Sequence, residues 1–179
     1  MVINPRNYQN LAAWSVASVI GCLYNITVAI GGALNRRGVF RHLDQAFGSQ
    51  GVTHIQISKM VYELARRKYL EFDGSDSVKF TNKAKMRIVD VLAGDRGIGS
   101  KYYFISFDIP ESKRAYRNKF RYAIKRMGFK QIQKSLWVSN KEVGDLVEAA
   151  AVEYEVNEYV AYFISERSNI DKYIVDLLS

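Results

Sequence analysis

Residues 101–165 follow one order of hydrophobic periods: strand, helix, strand, strand, helix, strand. "YYFISFDI" is an apolar strand, and a basic helix spans about 111–127. "FKQIQKSLWVS" holds two short strands, "KEVGDLVEAAAVEY" a helix and "EYVAYFIS" a last strand. That succession is the ferredoxin-like βαββαβ motif. Ile170, Tyr173, Ile174 and Leu177, at helical spacing, predict a closing amphipathic helix within 166–179.

Residues 38–92 form a second pattern. "GVFRHLDQAFG" is a short helix with Val39, Leu43 and Phe47 inside, closed by Gly48. Thr53 is a good N-cap for "HIQISKMVYELARRKYL", where Ile57, Met60, Val61 and Leu64 make a buried stripe. "YLEFDGSDSVKFT" alternates through a turn at 73–76 into a hairpin, and Thr81 caps a helix holding Ala84, Ile88 and Leu92. Helices followed by a hairpin are the order of a winged helix-turn-helix. The Gly-rich "AGDRGIGSK" predicts a linker over 93–100. The expected class is α+β: an apolar helical segment over 1–37, a winged helix-turn-helix over 38–92, and a ferredoxin-like domain over 101–165.

Residues 11–34 carry no charge, and Arg36 and Arg37 flank them. The length would span a bilayer. Ser15, Ser18, Asn25, Thr27 and three glycines favour buried helices at a dimer interface over a membrane anchor, with Gly31 and Gly32 ending the helix.

One cysteine, Cys22, excludes an internal disulfide framework and a multi-cysteine zinc site. A reducing cytoplasm is the expected compartment. The chain is +8 overall, but residues 101–140 alone hold 10 Lys and Arg against 2 acids, and residues 141–179 hold 3 against 9. Positive charge gathered in the middle suits a polyanion such as nucleic acid. "GDRGIG" lacks the following Lys-Ser/Thr and the preceding strand of a nucleotide-binding loop.

A helical wheel sets Lys59, Tyr62 and Arg66, with Ile55, opposite the buried stripe of the Thr53-capped helix. Thr53, His54, Gln56 and Ser58 start that helix, where base edges are read in the major groove. Lys79 and Lys83, on or beside the wing, add backbone contacts. In the basic helix Tyr116, Phe120, Ala123, Ile124 and Met127 form the core side. Arg114, Arg121 and Lys125 point away and Arg117 flanks them, a row of cations suited to phosphates.

Asp108-Ile109-Pro110-Glu111, Gly128-Phe129 and Ser135-Leu136-Trp137-Val138 resemble the central domain of PaaX-type repressors. The resemblance covers about 38–165 and implies a regulator that binds double-stranded DNA as a homodimer, with no cofactor required. Such repressors usually carry a further C-terminal domain, so a response to a phenylacetyl thioester is not carried over. Phe107-Asp108-Ile109 and Gln133-Lys134-Ser135-Leu136-Trp137 are also similar to the small ferredoxin-like endonuclease subunit of CRISPR spacer integration. That resemblance implies a pair of Asp108 side chains holding Mg²⁺ across a two-fold axis, with Asp108 catalytic in a metal-dependent endonuclease. The subunit normally lacks a winged helix, so a CRISPR role does not follow. Asp108 has two further readings, a dimer salt bridge and a helix cap. The Asp-x-x-Glu spacing and Pro110 favour the cap.

Overall fold

A computed structural model of the 179-residue chain describes residues 16–29, 34–48, 51–73 and 77–179. The protein is α+β and divides into two compact units, Met1–Ile88 and Val89–Ser179. The helix end expected at Gly31 and Gly32, and the turn residues 74–76, lie outside the described residues.

In the first unit, α1 (Val16–Ala29) buries Val19, Ile20 and Leu23, and Tyr24 meets the Phe80 ring edge-on at 6.2 Å. Burial pushes the Cys22 thiol up to about 11. No helix among the described residues is long and apolar enough to cross a membrane. Over α1, part of the segment expected at 1–37, Val19, Ile20 and Leu23 pack within the first unit.

Asn35 caps α2 (Arg36–Phe47), its Oδ1 accepting from the Gly38 amide at 2.6 Å. Val39, Leu43 and Phe47 are buried against the stripe of α3 (His54–Arg66), formed by Ile57, Val61 and Leu64. Met60, expected in that stripe, is half-buried. The α3 helix ends with Lys68 at φ 58, the Tyr69 amide donating to Leu64 O at 2.9 Å and the Lys68 amide to Ala65 O at 2.8 Å. Strands β2 (Leu70–Phe72) and β3 (Ser77–Phe80) pair antiparallel, and β1 (Leu34–Asn35) adds to the free edge of β3.

The helix expected up to Leu92 is two helices. Thr81 caps α4 (Asn82–Arg87), its hydroxyl accepting from the Ala84 amide at 3.2 Å. The backbone leaves helical geometry at Ile88, and α5 (Val89–Gly94) belongs to the second unit. There Asp90 accepts from Arg126 at 2.6 Å, Lys141 Nζ donates to Ala93 O at 3.2 Å, and Leu92 and Ala93 are buried. The linker expected at 93–100 is corrected likewise. Ile98 already pairs with Lys141 at the start of β4 (Ile98–Phe107), and the register shifts before Tyr103. Exposed, glycine-rich residues 98–101 carry no apolar alternation, so only their backbone pairing marks them as strand.

The second unit continues through α6 (Arg114–Arg126), β5 (Lys130–Gln133), β6 (Leu136–Lys141), α7 (Gly144–Glu153), β7 (Val160–Ser165) and α8 (Asp171–Leu178). The sheet runs β5-β6-β4-β7 with every neighbour antiparallel. Ile105 pairs with Trp137 and Tyr162, so these three share a face. On that face Phe107 meets Phe120 of α6 at 5.6 Å, and the Tyr162 ring lies against the start of α7. A Cβ at Gly144 would sit 3.0 Å from the Tyr162 ring, so a side chain at the first position of α7 would require that ring to shift. Phe104 and Val138 point the other way, onto Ile174 of α8, with Ile170 and Leu177 beside it. Tyr173, expected in that apolar stripe, is half exposed instead, as is Tyr116 of α6 in part. Gly128 ends α6 at φ 94, where the Phe129 amide returns to Ile124 O at 3.1 Å.

Candidate nucleic-acid interface

The first unit presents α3 with a buried stripe on one side and Ile55, Lys59, Tyr62 and Arg66 on the other. Ile55 is 68% exposed and Tyr62 is 51% exposed. Thr53 and Gln56 form a capping box: the Gln56 side chain accepts from the Thr53 amide at 2.9 Å, and the Thr53 hydroxyl accepts from the Gln56 amide at 3.4 Å. Those two side chains hold the helix start, while half-buried Ser58 sits a turn further on. The His54 ring contacts Asp44 through Nδ1 at 2.9 Å.

Most cations here are committed to contacts within the unit. Arg66 donates to Glu63 through Nε and a terminal nitrogen, both at 2.8 Å, and Arg67 donates to the same carboxylate. Hydrogen bonds from Arg66, then Arg67, hold the Glu63 carboxyl down to about 2. Lys83 Nζ donates to Arg67 O at 2.9 Å and lies over the Tyr69 ring, so it tethers the end of α3. Lys79 pairs with Asp73 at 3.4 Å, and Tyr62 is held by Arg36. Lys59 has no hydrogen-bond or ion-pair partner among the described residues. Arg37 and Arg41, which the helical wheel of α3 did not bring in, lie on the exposed side of α2. Their i, i+4 spacing was the available signal.

In the second unit the basic row divides. Arg117 braces the turn before α6, donating to Ile109 O at 3.1 Å and Glu111 at 2.7 Å, and Arg114 lies 3.6 Å from Glu111. The Arg117 hydrogen bond holds the Glu111 carboxyl below the usual range. Arg121 and Lys125 lie 5.7 Å from the ring of buried Trp137, without a carboxylate partner among the described residues. They are the two members of the row best placed to meet phosphate.

Asp108 stands at the end of β4. Its amide donates to Tyr159 O at 3.0 Å, and its exposed carboxylate has no hydrogen-bond or ion-pair partner among the described residues. The cap reading is corrected. Pro110 is extended, at φ −62 and ψ 157, so the helical turn begins at Glu111 with no side-chain cap. Asp108 is two residues too early, and Glu111 is drawn to Arg117 and not back to the chain start. Asp108 instead lines a depression of about 240 Å³ with Arg117, Arg121, Lys134 and Ser135. Mg²⁺ is held by one or two carboxylates with waters and substrate phosphates completing six ligands. In that depression Asp108 stands beside three cationic side chains, in a second of about 550 Å³ it lies with Glu158, and no group of three or more His, Cys, Asp or Glu suited to a metal occurs among the described residues. A site built from a pair of Asp108 side chains needs a second copy of the chain. Asp108→Ala and Asp108→Asn are each expected to change stability by less than about 0.5 kcal/mol, measured by urea denaturation. A loss of more than about 1 kcal/mol in the alanine variant alone would restore the cap.

Residues 97–173 match the family model described as "PaaX protein central Cas2-like domain". Over those residues, which lie within the second unit, the chain is similar to the central domain of PaaX proteins. The match begins one residue before β4 and ends within α8, so it takes in the four-stranded sheet, both helices on one face and part of the helix on the other. The Asp108 depression, the α6 cations and Trp137 all lie inside the PaaX-type domain. No curated protein and no solved structure matches the chain.

Proposed function

We propose that this chain is a DNA-binding transcriptional regulator of the PaaX type. The first unit acts as a winged helix-turn-helix, with α3 entering the major groove and the β2–β3 hairpin as the wing. The second unit acts as a ferredoxin-like domain that pairs two copies and adds the α6 cations to the surface. Two-fold pairing presents two α3 helices to a pseudo-palindromic site.

One observation carries this reading: a PaaX-type domain over 97–173 follows a unit in which capped α3 exposes Ile55, Lys59 and Tyr62. A helix used only for support would bury such apolar area or solvate it with charge. The roles divide by availability. Lys59, Arg121 and Lys125 meet phosphate. Thr53 and Gln56 set the start of α3, Ser58 approaches the bases, and Tyr62 and His54 do so after leaving Arg36 and Asp44. Arg66, Lys79, Lys83, Arg114 and Arg117 contribute to DNA binding only after releasing the partners that now hold them.

Fluorescence anisotropy with labelled duplex DNA tests the proposal, in EDTA and in Mg²⁺. Binding in both, with affinity falling steeply as salt rises, is the expected outcome. Absence of duplex binding at low salt would refute it. EDTA-sensitive cleavage lost in Asp108→Asn would put a nuclease in its place.

A further inference from the structure

Beside the start of α3, Arg37, Phe40, Arg41, Asp44 and Gln45 of α2 line an open hollow of about 630 Å³ with His54. Arg37 and Arg41 are exposed and one helical turn apart. Neither has a hydrogen-bond or ion-pair partner among the described residues, whereas Arg36 is held by Tyr62, and Arg66 and Arg67 by Glu63. Guanidinium forks match phosphate oxygens two at a time, and the first turn of the 13-residue α3 adds the positive end of its dipole. The one opposing charge in the lining is Asp44, fixed by its 2.9 Å contact with His54 Nδ1.

We infer that this hollow is a phosphate clamp for a strand of duplex DNA, with Arg37 and Arg41 as donors and Asp44 as a built-in opposing charge that limits affinity. The inference rests on the duplex-binding reading and adds a site to it on α2. An open hollow flanked by exposed side chains suits an extended backbone, where a small anion would be held by an enclosed one. Phe40, whose ring lies 5.8 Å from that of His54, supplies the apolar part of the lining.

The full chain is titrated with labelled duplex at several salt concentrations. Arg37→Ala with Arg41→Ala is expected to reduce the slope of log affinity against log salt by roughly 1.8, about 0.9 for each lost phosphate contact. Arg37→Lys with Arg41→Lys keeps both charges and the slope, which separates lost charge from lost folding. Asp44→Asn still accepts from His54, and is expected to tighten binding two- to fivefold, roughly the effect of one exposed charge pair. Wild-type binding with unchanged affinity and slope in the double alanine variant overturns the clamp and leaves the proposed function standing; an acidic protein partner for this hollow would give that result. Wild type that binds no duplex overturns both.

Discussion

Phe120→Ala is expected to cost the second unit roughly 3–5 kcal/mol, a large part of what holds a domain of this size folded. Phe120 is fully buried on the inner side of α6, and its ring meets Phe107 edge-on at 5.6 Å. Removing it opens a cavity between α6 and the sheet, where Ile124 and Ile105 are also wholly enclosed. Those neighbours belong to a helix and a strand fixed by their own hydrogen bonds, so the site has little freedom to collapse. Tyr122→Ala, two residues on, is the matched control. That ring is 64% exposed and its main contact is the Arg126 guanidinium at 5.6 Å, so the expected loss is under about 1 kcal/mol. Urea denaturation followed by tryptophan fluorescence reads both variants, since Trp137 is buried in the same layer. Equal losses in the two variants would contradict the packing of α6 on the sheet.

Lys59→Glu is expected to weaken duplex binding on the order of 100-fold, because a carboxylate would replace the one cation on the exposed face of α3 that has no partner among the described residues. Its neighbour Arg66 gives a contrast: that guanidinium already shares Glu63 with Arg67, so Arg66→Ala is expected to change affinity only a few-fold. Both positions are exposed on a helix whose buried stripe is untouched, and the fold should survive either change. Affinity in Lys59→Glu within a few-fold of wild type would remove α3 from the DNA interface.

The two hydrophobic periods made much of the mixed α+β character legible. The apolar positions of α6 mark it because one side is buried, and the apolar run Leu136-Trp137-Val138 marks β6 because both of its faces are covered. Where burial is absent the sequence carries little signal. Residues 98–100 are exposed strand without apolar alternation, and they read as a linker for that reason. The break at Ile88 was equally hidden, because Ile88, Val89 and Leu92 continue a helical spacing while their burial belongs to two different units. For the candidate interface, residue type and wheel position picked out the exposed cations. Neither could show that Arg66, Arg117 and Lys83 would find partners nearby, since such pairing depends on side-chain reach in three dimensions. Asp108 shows the same limit. A capping-box spacing has no effect when Pro110 moves the helical start beyond reach.

The most direct test of the central claim is duplex binding by the full chain across a salt series, run in parallel in EDTA and Mg²⁺ for wild type, Lys59→Glu and Asp108→Asn. The account expects salt-sensitive binding by wild type and Asp108→Asn, a large loss in Lys59→Glu, and intact DNA throughout. DNA cut by wild type in Mg²⁺ but left whole by Asp108→Asn, with Lys59→Glu binding like wild type, would contradict it.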